Sequence, residues 1–179
     1  MSDLPLVISV TGAECTGKTT LATDLAEALG VPLVAEVARQ YLSGRSGYER
    51  DDVLCIARRQ QAAEQAAVSA APLVVADTDL TVIQVWWEEK YGPLDPWLAD
   101  ALAARSERRY LLPAPDLPWK LDPLRESPHD RPRLHARYRE LLEQGPFPFA
   151  EVTGKGSRRF RQARERVEAW LRPSHPATR

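Results

Sequence analysis

Gly12-Ala13-Glu14-Cys15-Thr16-Gly17-Lys18-Thr19 sets a lysine and a hydroxyl residue directly after the second of two spaced glycines. Glycine lets the backbone curl so that successive N–H groups point to one side, and such a concave surface suits a phosphate. A helix starting at the end of the loop adds its positive pole. Lys18 is then placed to bridge the β- and γ-phosphates of a nucleoside triphosphate. The Thr19 hydroxyl is placed to ligate Mg²⁺, which spreads the charge that builds as the γ-phosphoryl leaves. This G-x-x-x-x-G-K-[ST] loop carries weight only between a strand and a helix. Both are present: Leu4 to Val10 is a short β-rich apolar run, and Lys18 to Leu29 holds Leu21, Leu25, Ala28 and Leu29 at helical spacing before Gly30.

A triphosphate needs a metal group and an acceptor site, and two acids stand where an α/β sheet would offer them. Asp77 follows the apolar run Pro72–Ala76 and Glu36 follows Pro32–Ala35. Asp77 suits the water shell of Mg²⁺, and Glu36 suits acceptance of the proton of an attacking hydroxyl; capping the next helix is the alternative for each. In the helix read from Asp79 to Tyr91, Asp79, Val82 and Trp86 share one face, and Leu80, Ile83, Trp87 and Tyr91 the neighbouring one. The row ending in Trp87 is the core candidate. Asp79 with Trp86 would then face the catalytic edge, an anion beside an aromatic ring, and would favour a flat cationic acceptor. The other reading packs both tryptophans in the core.

The elements that must carry these residues alternate. Strands at Leu4–Val10, Pro32–Ala35, Pro72–Ala76, Arg109–Leu112 and Phe147–Val152 are separated by helices. Those helices are Lys18–Leu29, one through Arg39 and Leu42, Glu49–Ala71, Asp79–Tyr91, Asp95–Ser106 and Pro132–Glu143; the last runs from Ser157 to Leu171. Connections too long for hairpins imply a parallel sheet of about five strands covered on both faces. The expected fold is thus α/β, a P-loop NTPase three-layer sandwich, with residues 1–179 as one kinase-sized domain. Residues 113–133 hold six of the 15 prolines and resist both helix and sheet. They read as a lid. Within it Arg125 and Arg131 could close on the transferred phosphate, or pair with Asp122, Glu126 or Asp130, and Trp119 could cover the acceptor ring opposite Trp86.

Composition narrows the partners. A net charge of −1 argues against blanket neutralisation of nucleic-acid phosphates and favours a small solute. Cys15 and Cys55 lie too far apart for a CxxC knuckle. No apolar run long enough to span a bilayer is present, and no basic start with a cleavage site, so the expectation is a cytoplasmic protein without membrane contact. The chain holds no asparagine, which removes the Asn-Lys-x-Asp reader of guanine switches.

The stretches TGAECTGKTTLATDLA, AEVARQYL, IARRQ, VVADTDLTVIQVWWEEKYG, LPWKLDPLRESPHDR and VTGKGSRRF together resemble the ribosylnicotinamide kinase domain of NadR-type NAD-salvage proteins over most of the chain. The resemblance implies ATP-dependent phosphorylation of the 5′-hydroxyl of nicotinamide riboside to nicotinamide mononucleotide, with Mg²⁺. It implies that Gly12, Ala13, Glu14, Cys15, Thr16, Gly17, Lys18, Thr19 and Thr20 hold phosphates, and that Asp77, Asp79 and Trp86 serve metal and acceptor. It further implies that Trp119, Asp122 and Arg125 act from the lid, and that Gly154 and Lys155 hold the adenine, unless theirs is a plain strand-to-helix turn. Bifunctional members carry an upstream nucleotidyltransferase domain and at times a helix-turn-helix. With few residues before its first strand, this chain is expected to be the kinase alone. The alternatives are a kinase for another nucleoside or small metabolite, and an ATP-binding regulator. Cys15 at a helix N-terminus is a candidate for oxidation that would block ATP.

Overall fold

The computed structural model describes residues 5–120 and 129–172. Five strands, β1 (Leu6–Val10), β2 (Leu33–Val34), β3 (Leu73–Asp77), β4 (Arg108–Pro113) and β5 (Phe149–Val152), form one sheet in the order β2-β3-β1-β4-β5. Every neighbouring pair is parallel. Between them lie α1 (Lys18–Leu29), α2 (Val37–Leu42), α3 (Arg50–Ala70), α4 (Leu80–Tyr91), α5 (Pro96–Ala103) and α6 (Arg131–Gln144), with α7 (Gly156–Leu171) after β5.

The layers follow from the two-residue period of a strand. Ile8 and Val10 of β1 face α1 and α7, where they pack with Leu21, Leu25, Ala163 and Val167. Val7 points the other way and packs with Val74 and Ala76 beneath α3. On that second face Tyr110 and Leu112 of β4 meet Val85 of α4 and Leu134, Tyr138 and Leu142 of α6. With both faces covered, β1 and β3 are mostly apolar, as buried parallel strands tend to be, and the polar exceptions are Ser9 and the Asp77 that ends β3.

The strand order makes the site. β1 lies between β3 and β4, so the chain leaves it in one direction and returns on its other side, and a crevice opens at the carboxyl ends. The register sets Val10 beside Asp77, so the loop after β1 and the acid ending β3 emerge together. α1 ends as expected at Gly30, whose φ of 64° closes the helix on the Ala26 and Glu27 carbonyls.

Some boundaries shift. β5 begins at Phe149, after Pro146 and Pro148, two residues later than expected. The helix expected from Asp95 to Ser106 stops at Ala103. Of the proline-rich stretch, Pro113 closes β4 and Arg131 already opens α6. Asp122 and Arg125 lie outside the described residues. No helix among the described residues is long and apolar enough to cross a membrane.

Candidate functional site

The loop after β1 is built from backbone that side chains rarely permit. Gly12, Cys15 and Gly17 have φ of 133°, 57° and 77°. A Cβ on Gly17 would stand 3.0 Å from Leu117 Cδ1, and one on Gly12 the same distance from Leu112 Cδ1. The Thr16 hydroxyl donates to the Ala13 carbonyl at 2.9 Å and braces the curl. Gly17 caps α1 with no side-chain hydrogen bond, so the first-turn N–H groups face outward for a ligand. Lys18 folds back over the loop, Nζ donating to the Gly12 and Ala13 carbonyls at 2.9 Å each.

Asp77 sits beneath this loop, 2% exposed. Burial pushes its carboxyl above the ordinary range and the charge of Glu36 adds to this, against the hydrogen bond from Thr19 and the nearby Lys18 and Arg39 cations. Its Oδ1 is buried and has no partner among the described residues. Thr78 follows with φ of 68°, and its N–H donates to Val10. This left-handed residue at a site wall is strained backbone of the kind that surrounding structure must hold in place.

A cavity of about 1040 Å³ opens above the loop. Residues 12–20, Glu36, Tyr48, Thr78, Trp86 and Tyr138 are among those that line it. Glu36 precedes α2 without capping it by its side chain, and lies 3.7 Å from Arg39. Trp86 donates its indole N–H to the Tyr48 hydroxyl at 2.8 Å, with the rings edge to face at 4.8 Å and 74°. The Lys90 ammonium donates to the same hydroxyl and lies 3.9 Å over the Tyr48 ring. Trp87, fully buried, points into the core as expected.

The structure thus brings the phosphate loop, Glu36 and Trp86 to one cavity, with Asp77 under its floor. Among the described residues its wall does not include Asp79, Trp119, Arg131, Gly154 or Lys155. Asp79, expected to face the acceptor, is 1% exposed and caps α4 through Thr81 N at 2.9 Å. The Tyr110 hydroxyl donates to it at 2.7 Å and Arg108 at 2.8 Å. The cause lies on β4: the Arg108 side chain is fully buried and needs carboxylates, which Asp79 and, at 2.6 Å, Glu64 supply. Trp119 lies under the Arg131 guanidinium at 5.7 Å, and Arg131 donates to the Leu117 carbonyl at 2.8 Å, so these two hold each other. The Gly154 N–H donates to Asp116 at 2.6 Å. Cys15 accepts from Lys120 N at 3.1 Å.

Sequence reasoning did not find Tyr48, Lys90, Arg39, Arg45 or Arg133, all of which line the cavity. Tyr48 sits in an irregular connection, where no periodicity signals orientation. Arg133 bridges Glu89 at 3.0 Å and Asp130 at 2.5 Å, and its hydrogen bonds hold both carboxyls below the usual carboxylate range.

A family model described as an AAA domain matches residues 7–159. No curated protein matches the chain by sequence. Among solved structures, the chain is similar to a NadR protein in complex with NR, at 22% identity and a TM-score of 0.78 over 98% of this chain and 54% of that one. It is similar also to a NadR protein in complex with NAD and AMP-PNP, at 21% identity and 0.75, over 98% and 52%. A thymidylate kinase from Ehrlichia chaffeensis matches at 16% identity and 0.60, over 94% and 99%. The chain spans about half the length of the NadR structures it matches. At these identities the likeness establishes the fold alone.

Proposed function

Because this chain belongs to the AAA domain family, we propose that it is a cytoplasmic ATP-dependent kinase that phosphorylates the 5′-hydroxyl of nicotinamide riboside to give nicotinamide mononucleotide. The observation that carries this reading is that the phosphate loop, Glu36 and the Tyr48–Trp86 pair all line one cavity. The similar NadR protein solved with NR supports the choice of acceptor.

The loop N–H groups and the start of α1 hold the β-phosphate, and Lys18 exchanges the Gly12 and Ala13 carbonyls for phosphate oxygens. The riboside hydroxyl attacks the γ-phosphorus, the bond to the β-phosphate oxygen breaks, ADP leaves, and Glu36 takes the hydroxyl proton. The unpartnered buried Oδ1 of Asp77 beside the Thr19 hydroxyl fits a cation, so Thr19 and Asp77 would hold Mg²⁺. When bound, Mg²⁺ neutralises charge on the phosphate oxygens. Aromatic faces favour a cationic ring, and of the two here the Tyr48 face is already covered by the Lys90 ammonium.

One observation favours a different acceptor for the same chemistry. Arg39, Arg45, Lys90 and Arg133 line the cavity while Asp79 is withdrawn from it, which suits another nucleoside or small metabolite, including one that carries a phosphate. ADP release measured with nicotinamide riboside, neutral nucleosides and nucleoside monophosphates separates the two. The expected result is a kcat/KM for nicotinamide riboside at least about tenfold above every other acceptor. Preference for a monophosphate would move the assignment to the second reading, and MgATP binding without turnover of any acceptor would make the protein a regulator.

A further inference from the structure

Behind the phosphate loop stands a guanidinium that no step above uses. Arg159 lies in the first turn of α7 and is 4% exposed. It donates through Nη1 to the Thr16 carbonyl, and through Nη2 to the Asp116 carboxylate and, at 3.1 Å, to the Ala114 carbonyl. The second Asp116 oxygen accepts from the Gly154 N–H at 2.6 Å. Arg159 Nε is buried and has no partner among the described residues. One arginine therefore ties the loops that follow β1 and β4 to the start of α7, and its carboxylate partner adds the turn after β5.

The contact with Thr16 matters because a trans peptide points its C=O and N–H in opposite directions. With the Thr16 carbonyl held on Arg159, the Gly17 N–H must point away from that guanidinium. Gly17 is the residue with φ of 77°, and the Arg159 Nη1 lies 3.6 Å from where its Cβ would be. A loop of curled backbone has several ways to tilt one peptide, and this contact selects one. The guanidinium in turn is aligned by Asp116, since its planar fork can reach two carbonyls and a carboxylate at once only in one orientation.

We infer that Arg159 is a positioning residue for polyphosphate binding, acting through the Thr16–Gly17 peptide, with Asp116 as the group that aligns it. The inference rests on the reading that the loop after β1 holds the phosphates of a nucleotide, and it is independent of which acceptor is used.

Calorimetry with MgATP, MgADP and AMP on the wild type, Arg159→Lys and Asp116→Asn tests it. Lysine keeps the charge and loses the fork. Each variant should weaken ATP and ADP by about tenfold, the worth of one charge-assisted hydrogen bond. AMP, which has no β-phosphate for the Gly17 N–H, should change less than about twofold. General loosening of the fold would weaken all three ligands alike and would overturn the inference, as would unchanged ATP binding in both variants. If Arg159→Lys does not fold, Asp116→Asn carries the test alone, Asp116 being itself part-exposed. A wild type that binds ATP no better than AMP would refute the underlying phosphate-loop reading instead.

Discussion

Asp77 and Asp79 stand two positions apart with the same charge and end in opposite environments. Thr78 between them adopts a left-handed φ, which sends Asp77 toward Thr19 under the loop and Asp79 to the far side of the sheet, against Arg108. Asp79 is matched by cations and donors, whereas Asp77 keeps a buried oxygen without one. Burial raises the Asp77 pKa above its ordinary 3.8, so its contribution to stability is full below that value and is lost as pH rises through the raised one. At pH 7 the nucleotide-free protein therefore carries a penalty that asparagine removes. Asp77→Asn should raise Tm at pH 7 in scanning calorimetry, the gain narrowing toward pH 4. The same variant should lose most of the further stabilisation that Mg²⁺ adds to ATP. A lower Tm at pH 7 would show that the carboxylate is compensated in the free protein.

α4 carries two adjacent tryptophans with separate duties. The helical period turns Trp87 into the core among Ile56, Ile83 and Leu98, and leaves Trp86 on the cavity wall with Tyr48. Trp87→Ala should cost about 3–5 kcal/mol in urea unfolding, because it opens a hole in close-packed surroundings. Trp86→Ala should leave folding nearly intact. If the aromatic pair holds the acceptor ring, it should raise the acceptor KM by about tenfold with the ATP KM changed by less than about twofold. Equal rises for both substrates would remove the pair from acceptor binding. The partner ring comes from the connection between α2 and α3, whose course is set by the Tyr41 hydroxyl and Arg45 meeting on Asp52, at 2.8 and 3.1 Å. The Trp86 side of this aromatic pair is thus a helix face, and the Tyr48 side depends on a tethered loop.

The whole molecule presents its site as a property of strand order. β3 inserted beside β1 sets Asp77 level with Val10, and α7 returns at the end of the chain to brace the loop where the chain began. Ligand at the loop should therefore stabilise everything at once: MgATP at 100 times its Kd should add about 2.7 kcal/mol, and Lys18→Ala should lose that gain while its ligand-free Tm stays within a degree or so. A Lys18→Ala protein stabilised by MgATP as fully as the wild type would contradict the loop's role. Much of this was readable along the chain, because the forces involved are local. Glycine spacing specifies the loop, and side-chain periodicity with a glycine stop specifies α1 to the residue, from Lys18 to Leu29. Short apolar runs specify β1, β2 and β3. What tertiary structure alone decided is which distant side chain each functional group meets. Asp79 finds Arg108 at a separation of 29 residues, Trp86 finds Tyr48 at 38, and the Thr16 carbonyl finds Arg159 at 143. Such pairings are chosen by sheet order and by the burial of a guanidinium that must be neutralised where it lies, and neither leaves a trace in the spacing of neighbouring residues.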